Sequence, residues 1–406
     1  MFIKEISTRD ARFQLAEGEG SDAVHSTPQY SFAVTQITLD TGLRGTGLVL
    51  TMGKGNDLVC SAIKMLSQSL IGMDVEELMG HFGARFREMA DDPYLRWLGP
   101  HKGVVHLALA SITNACFDLW AKVRDVPLWK LLLDLPVEAF VDLLDLSYLE
   151  DVLDRERALH LLRTEQANRH ARMGVIERGY PGYDTSVGWY HYDDARIRES
   201  VQRSLDRGFS AFKLKVGGLL ERDVQRAEGL RRLVGPGATI MLDANQQWSL
   251  PAAILACRRL ASVNPLWIEE PTHPDDIQAH RKLADSISPL SLALGEHVPN
   301  RVVFKNYLES GCVAFLQPDC TRLGGVSEFL TVSLLARMYK VPVVPHVGDM
   351  GQIHQHLVLV NHIAMGHSET FLEHIPHLSR YFVRPVQMSA GHYLTPQGPG
   401  ASSDLL

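Results

Sequence analysis

Hydrophobic and polar positions alternate through the first fifty residues in the pattern that is typical of strands. The segments 2–6, 30–39 and 46–51 each show this alternation, and a turn at Thr41-Gly42 separates the last two. From about Asp57 to Leu133 the apolar positions instead recur at helical spacing, most clearly in VVHLALASITNACFDLWAKV. Strands followed by a run of helices predict a separate α+β domain over residues 1–135.

From about residue 136 the pattern changes to short apolar strands that alternate with helices. Apolar strands of this kind are typical of a covered parallel sheet, and eight of them predict closure into a barrel. The fold class is therefore α/β: a modified (β/α) barrel of the TIM type over residues 136–375, with an α+β capping domain that segment 376–406 completes. The predicted strands are 139–146, 210–216, 239–245, 265–271, 292–298, 313–319, 341–347 and 369–375.

The stretch 153–192 does not fit this alternation. It begins with a charged helical pattern from Asp154 to about Ile176 and continues with a glycine- and aromatic-rich sequence from Gly179 to Tyr192. We interpret it as an insertion after the first barrel strand. A linker between domains is the alternative, which the aromatic content disfavours.

Composition narrows the range of functions. Acidic residues exceed basic ones, 47 to 40, and give a net charge of −7, so nucleic acid is not expected as the main partner because phosphate binding needs a basic face. The five cysteines are too few and too irregularly spaced for a disulfide framework or a zinc site. The N-terminus lacks an apolar signal-like run and no stretch approaches eighteen apolar residues, so we expect no membrane segment and a cytoplasmic location.

Ionisable side chains stand at the ends of seven successive predicted strands. They recur at intervals of 23 to 28 residues, about one strand–helix unit each. Since the carboxyl ends of barrel strands converge on one mouth, we expect these side chains to face a common site. They are Lys215 with Lys213, Asp243, Glu269, Glu296, Asp319, His346 and Glu373.

Three carboxylates in this series, those of Asp243, Glu269 and Glu296, come from adjacent strands. Carboxylates brought together repel one another, and a hard divalent cation relieves the repulsion. An oxygen-only ligand set favours Mg²⁺ over zinc. Any one of these residues alone is explained as well by a helix N-cap, but three at barrel spacing predict a metal site.

Bases flank the predicted metal site. Lys213 and Lys215 are two residues apart on a strand and therefore share a face, while Asp319 is placed to orient the imidazole of His346. A metal between two bases suits the removal of a proton next to a carboxylate, because a metal and an ammonium stabilise the charge that develops. Lysine acts as a base only if its pKa falls towards 7, and a second ammonium and a metal both lower it.

Several segments resemble the strand-end motifs of the mandelate-racemase-like branch of the enolase superfamily: FKLKVG, MLDANQQW, PLWIEEPTHPDD, GEH, QPDCTRLGGV and PHVG. With SDAVHSTPQYS, LRWLGPHKGVVHLA and GYPGYDTSVGW the resemblance covers nearly the whole chain, and it is greatest to the L-fuconate dehydratases.

The resemblance implies that the three carboxylates bind Mg²⁺ and that the substrate is a small acid sugar. It implies that Lys215 takes the C2 proton and that His346, paired with Asp319, expels the C3 hydroxyl, which leaves a 2-keto-3-deoxy acid. A symmetric homo-oligomer is also expected. Lys213 is expected to modulate Lys215.

Five further residues are candidate substrate contacts. Glu373 is expected at the substrate carboxylate, Asn245 and His297 follow two of the carboxylates, and His25 and Tyr30 lie in a glycine- and serine-rich loop that suggests a lid. Glu270, next to Glu269 on the strand, is expected to point away from the mouth.

Other functions remain open at this point. They are a dehydratase of another hexonate such as L-galactonate, and an epimerase or racemase with Lys215 and His346 on opposite faces of the substrate. A Schiff-base aldolase using the strand lysine leaves the three carboxylates without a purpose. A non-catalytic binding protein does not explain why every acid, base and ligand is present.

Overall fold

The computed structural model describes residues 1–99 and 101–406. The chain begins with an antiparallel sheet of β1 (Ile3–Arg12), β2 (Ser31–Leu39) and β3 (Arg44–Thr51), in that order. Helices cover this sheet, so the predicted α+β capping domain is confirmed as a fold. They are α1 (Asn56–Leu66), α2 (Val75–Gly80), α3 (Phe82–Ala90) and α4 (Gly103–Val123), with 3₁₀ helices at Ser67–Leu70 and Pro93–Leu98.

Helix α4 packs directly on the cap sheet because β3 carries glycines where the two meet. A Cβ atom on Gly47 would overlap the carbonyl oxygen of Ser111 in α4. On its other side α4 contacts the barrel, where Asn114 donates to the carbonyl of Cys320 at 2.9 Å. Among the described helices α4 is the one long and apolar enough to cross a membrane, and 83% of that apolar window is buried inside the protein.

Five helices, not a strand, follow α4. Residues 139–146 lie in a helix and the irregular segment after it, so the predicted first barrel strand is wrong. Val137, Phe140 and Val141 share one face at helical spacing, and the carbonyl of Pro136 accepts the first helical bond from Phe140 at 2.9 Å. The helices are α5 (Leu128–Asp134), α6 (Val137–Asp142), α7 (Arg155–Gln166), α8 (Arg169–Arg172) and α9 (Val175–Arg178).

The first barrel strand is β4 (Tyr180–Asp184), inside the stretch 153–192 that was predicted as an insertion after that strand. The prediction is therefore wrong in its order: the extra helices precede the strand. β4 was not predicted from the sequence because it contains Pro181 and Gly182, and both residue types are uncommon within strands.

Parallel strands close into a barrel when β10 pairs with β4. The predicted barrel is confirmed. Between β9 and β10 the seventh strand is reduced to one parallel bridge, from Val343 to Leu316. The remaining strands are β5 (Ala211–Lys215), β6 (Thr239–Asp243), β7 (Ile268–Glu269), β8 (Leu292–Leu294), β9 (Phe315–Leu316) and β10 (Leu372–His374). A hairpin of β11 (Met388–Ser389) and β12 (His392–Tyr393) pairs antiparallel with Tyr180 and Pro181 at the start of β4.

Helices surround the barrel, and a separate apolar cluster of six residues in or next to barrel strands lies in its interior. These six residues are Tyr183, Ala211, Met241, Trp267, Ala293 and Val344. The helices are α10 (Asp194–Asp206), α11 (Leu220–Val234), α12 (Leu250–Leu260), α13 (Ile277–Ile287), α14 (Arg301–Ser310), α15 (Val326–Met338) and α16 (Ile353–Met365), with 3₁₀ helices at Ala261–Val263 and Pro376–Tyr381.

Candidate active site

The carboxyl ends of the strands bring the predicted ionisable residues to one mouth. All eight are at most 8% exposed, and burying charges together is costly unless they pair with one another. Lys213 and Lys215 lie in β5, Asp243 ends β6, Glu269 ends β7, Glu296 and Asp319 follow β8 and β9, His346 follows Val343, and Glu373 lies in β10.

The lysine side of the mouth consists of Lys213, Lys215, Asp243 and Glu269. The Nζ of Lys215 donates to Oδ2 of Asp243 at 2.5 Å, and the Nζ of Lys213 donates to Oε1 of Glu269 at 2.8 Å. Lys213 also lies 2.7 Å from Oε1 of Glu373 and 3.4 Å from Oδ2 of Asp243. The two ammonium groups and the carboxylates therefore neutralise one another.

Burial and pairing shift the pKa values on the lysine side. Burial lowers the pKa of Lys215, but the carboxylates of Asp243, Glu296 and Asp22 together raise that pKa above its usual value. The ammonium of Lys213 does lower the pKa of Lys215, as predicted, yet by less than Asp243 raises it. Burial, with the charge of Asp243, raises the pKa of Glu269 to about 8. Lys215 is an ammonium for as long as Asp243 pairs with it.

The histidine side of the mouth consists of His346, Asp319 and Glu296. The Nδ1 of His346 lies 2.8 Å from Oδ2 of Asp319, and its Nε2 lies 2.8 Å from Oε2 of Glu296. Burial lowers the pKa of His346, but the two carboxylates together raise it to about 10. The other oxygen of Asp319 accepts from the backbone N–H of Thr321 at 2.7 Å. The imidazole is therefore charged and held in one orientation.

Strained backbone follows three of these strand ends. Asn245, Glu270 and Val347 have positive φ angles of 45°, 39° and 51°. Outside glycine such conformations cost on the order of 1–3 kcal/mol each and are concentrated at functional sites. For Val347 the strained backbone lets its N–H donate to Oε2 of Glu373 at 3.0 Å.

The positive φ of Glu270 also turns its side chain back to the mouth, contrary to the expectation that it points away. The strand ends at Glu269, so alternation no longer governs the next residue. Oε2 of Glu270 lies 2.9 Å from Nδ1 of His297, which is 3.2 Å from Oε1 of Glu296. Among the described residues, Glu270, Glu296 and His297 form the one group whose ligand atoms are close enough together to hold a metal ion, and the predicted set of Asp243, Glu269 and Glu296 is not such a group.

A cavity of about 180 Å³ lies over the mouth, between the cap and the barrel. Of the predicted residues, the seven that line it are Lys215, Glu296, His346, Asn245, His297, His25 and Tyr30. The loop of the last two is joined to the barrel, since the N–H of Tyr190 donates to the carbonyl of Ser21 at 3.0 Å. Buried behind this lining are Lys213, Asp243, Glu269, Asp319 and Glu373.

Ten residues of the cavity wall were not singled out from the sequence as contacts, and the polar or aromatic ones among them are Asp22, Trp189, Gln246 and Arg322. Arg322 comes three residues after Asp319 in the same loop, and its Nη1 lies 3.7 Å from Oε1 of Glu296. Because this spacing keeps Arg322 close to Asp319, the sequence alone could have indicated that it lies near the site. Trp189 lies under Lys215, with the Nζ 5.8 Å from the ring centre, and only the fold shows that contact.

Comparison with known proteins agrees with this geometry. Residues 196–405 match the enolase C-terminal domain-like family, and residues 16–132 match the N-terminal domain of mandelate racemase and muconate lactonizing enzyme. The chain belongs to the enolase superfamily. The predicted resemblance to its mandelate-racemase-like branch is confirmed.

Similar proteins match this superfamily member over nearly its full length. Human mitochondrial enolase superfamily member 1 is 39% identical over 99% of this chain and 93% of its own, and its crystal structure superposes with a TM-score of 0.96, covering 100% of this chain and 94% of the other. L-galactonate dehydratase of Hypocrea jecorina is 37% identical over 99% of this chain and 92% of its own.

A more distant structure shares the fold. L-talarate/galactarate dehydratase from Salmonella typhimurium LT2, liganded with Mg and L-lyxarohydroxamate, has a TM-score of 0.79 at 23% identity and covers 100% of this chain and 91% of the other.

Proposed function

We propose that this sugar-acid dehydratase of the enolase superfamily acts on six-carbon aldonates and that L-fuconate is its preferred substrate. The observation that carries the proposal is one cavity that Lys215, on the second barrel strand, and His346, after the seventh, both line. An acid and a base on separate strands suit the removal of a C2 proton and a C3 hydroxyl from one bound sugar acid. The product is a 2-keto-3-deoxy acid.

The chemistry of the mouth fits a divalent metal. Asp243, Glu269 and Glu296 come from successive strands, and the raised pKa of Glu269 reflects its burial and repulsion by Asp243. We propose that these three carboxylates hold Mg²⁺, because the alternative group contains the nitrogen of His297, which suits Mg²⁺ less well. When bound, the ion supplies positive charge that stabilises a substrate carboxylate as it becomes an enediolate.

Lys215 is proposed as the base for the C2 proton. It is an ammonium while it pairs with Asp243, so that pairing must be relieved before it accepts a proton. Lys213, buried beside it, keeps a second positive charge near the developing enediolate. Asn245 has a buried Oδ1 with no hydrogen-bond partner among the described residues and lines the cavity, so it is proposed to accept from a substrate hydroxyl.

His346 is proposed as the acid. Its imidazolium has the proton that the C3 hydroxyl needs to leave as water, and Asp319 fixes the ring so that Nε2 faces the cavity side. The electron pair of the broken C2–H bond forms the new double bond as the C3–O bond breaks. The enol so formed takes a proton at C3 and becomes the keto acid.

The preference for L-fuconate is supported by apolar side chains in the cavity wall. Leu50 and Met52 from the cap and Met350 from the barrel line it. L-fuconate is L-galactonate without the C6 hydroxyl, so its methyl group loses no hydrogen bond against these side chains. Such a wall discriminates by about 10- to 100-fold in kcat/KM. L-galactonate is the second candidate, because the relative from Hypocrea jecorina is named for it.

Keto-acid formation from a panel of acid sugars tests the proposal. The protein is incubated with each acid and Mg²⁺, and 2-keto-3-deoxy acids are detected by periodate and thiobarbiturate, with an EDTA-treated control. L-fuconate is expected to react fastest, and EDTA to stop the reaction. Epimerised substrate without keto acid would show an epimerase instead. EDTA-resistant activity with borohydride labelling of Lys215 would show an aldolase.

A further inference from the structure

The barrel has a seam between its seventh and eighth strands. Val343 makes its one bridge to Leu316 on the far side, and in the described chain no β-bridge joins segment 341–348 to β10. One backbone hydrogen bond crosses the seam, from the N–H of Gly348 to the carbonyl of Glu373 at 2.8 Å. The seam matters because its two edges carry His346 and Glu373.

The carboxylate of Asp349 bridges this seam. Its Oδ1 accepts from the N–H of Ile375 at 2.7 Å, and its Oδ2 lies 2.6 Å from Nδ1 of His374. The hydroxyl of Tyr393 lies 2.9 Å from Oδ1 of Asp349 and 2.5 Å from the carbonyl oxygen of Glu373. One side chain thus holds the loop after His346 to two successive residues of the opposite edge and to the C-terminal hairpin.

Asp349 and His374 form a buried ion pair. Their side chains are 0% and 3% exposed. Burial raises the pKa of Asp349, but His374 and the hydrogen bonds from Ile375 and Tyr393 together lower it below its usual value. Burial lowers the pKa of His374, but its pairing with Asp349 raises that pKa above its usual value. The imidazole also stacks on Phe209, with ring centres 5.1 Å apart. Neither residue lines the cavity, so the pair is not explained by contact with substrate.

We propose that Asp349, with His374 and Tyr393, is a positioning device that replaces the missing strand pairing and sets His346 against Glu373. The inference rests on the proposed function, since it assigns the elimination step to the side chain at one edge of the seam. Glu373 in turn holds Lys213 at 2.7 Å, so the seam also fixes the relation between the histidine side and the lysine side.

The positioning role predicts a change in the ratio of C2 exchange to elimination, whereas a merely structural role predicts no change in that ratio. Exchange of the C2 proton with solvent depends on Lys215, whose ammonium pairs with Asp243 on β6 and with no described residue of the seam. Elimination depends in addition on His346 at the seam, and a displacement of about 1 Å lowers a rate by about 10²-fold. A loosened seam therefore slows elimination more than exchange. Partial unfolding lowers both rates in equal proportion.

The test is Asp349→Asn, assayed in D₂O for both C2 exchange and keto-acid formation with the same sugar acid. Asparagine keeps an acceptor for Ile375 but loses the charge that pairs with His374. The ratio of exchange to elimination is expected to rise by about tenfold or more. The matched control is Asp118→Asn in the cap, because Asp118 is also fully buried, pairs with Lys122 at 2.6 Å and accepts the N–H of Ala401 at 2.6 Å.

An unchanged ratio in Asp349→Asn would overturn the proposal, as would an equal rise in Asp118→Asn. If Asp349→Asn does not fold, Tyr393→Phe removes only a hydroxyl, and the same ratio is expected to rise to a smaller extent.

A crystal structure of the variant separates failure of this inference from failure of the proposed function. If the wild type forms no keto acid from any sugar acid, the proposed function is wrong. The positioning role of Asp349 is then tested only by the structure of the seam in the variant. Loss of the bond from Gly348 to Glu373 in the variant then supports the positioning role. Retention of that bond at 2.8 Å overturns it.

Discussion

The two sides of the barrel mouth both contain buried charged groups, but the charges are balanced differently on each side. On the lysine side the ammonium groups and carboxylates neutralise one another, and only Lys215 reaches the cavity. On the histidine side one imidazolium lies between Asp319 and Glu296, and both His346 and Glu296 reach the cavity. The first arrangement is closed, and the second faces the substrate space.

The difference indicates which side depends on a metal. A proton donor must hold its proton, and in the metal-free protein Glu296 and Asp319 favour this by raising the pKa of His346. A base must first lose its proton, and Asp243 opposes that by raising the pKa of Lys215. We therefore expect a metal ion to act mainly on the lysine side, by occupying the carboxylates that now hold the two ammonium groups.

Removal of Lys215 has the largest expected effect, because it removes the proposed base for the first step. In Lys215→Ala we expect both C2 exchange and keto-acid formation to fall by about 10²- to 10⁴-fold, measured by NMR in D₂O. Lys130→Ala, an exposed lysine paired with Asp134, is the control and should keep both activities. Retention of C2 exchange in Lys215→Ala would move the role of base to the histidine side.

Substitution of single carboxylates tests which group binds the metal. Glu269→Gln is expected to weaken Mg²⁺ binding by more than about 100-fold, beyond the 10- to 100-fold typical of residues that only orient a ligand. Glu270→Gln is the matched neighbour and should weaken binding by about tenfold or less. Isothermal titration calorimetry measures both. The opposite order would assign the ion to Glu270, Glu296 and His297.

The pH dependence of stability tests the histidine side in the metal-free protein. The pKa of His346 is raised to about 10 in the folded protein, against about 6.5 when unfolded. A raised pKa gives stability that is fully present below about pH 6.5 and is lost as the pH rises towards 10.

The wild type should therefore lose roughly 2–4 kcal/mol of unfolding free energy relative to His346→Asn between these pH values. Urea unfolding in EDTA measures both proteins. A difference that stays constant with pH would show that His346 is not charged in the folded state.

The same two sides show how far a sequence predicts a site. The strand-end residues could be predicted because a barrel repeats at a nearly fixed interval, so the spacing from Lys215 to Glu373 places their backbones at one mouth. The pairing of each carboxylate with a particular cation could not be predicted, since that pairing depends on distances across the barrel. Glu270 was expected to point away because alternation assumes that the strand continues, and a φ of 39° ends it.

Contacts between residues far apart in the sequence explain why segment 139–146 and β4 were predicted wrongly. Segment 139–146 has apolar positions that suit a strand or a helix, and packing decides for the helix. β4 contains Pro181 and Gly182, and it is a strand because β10 and β12 pair with its edges. The bridge from Asp349 to His374 spans 25 positions of sequence, and no local pattern marks it.

Solvent-deuterium exchange in His346→Asn tests most directly whether the lysine side supplies the base and the histidine side supplies the acid. The variant retains Lys215 and the carboxylates of the lysine side and lacks only the proposed acid. With L-fuconate and Mg²⁺ in D₂O, we expect deuterium at C2 of recovered substrate while keto-acid formation falls to background. Loss of exchange together with elimination, at unchanged folding and Mg²⁺ binding, would contradict the assignment of Lys215 as the base and His346 as the acid.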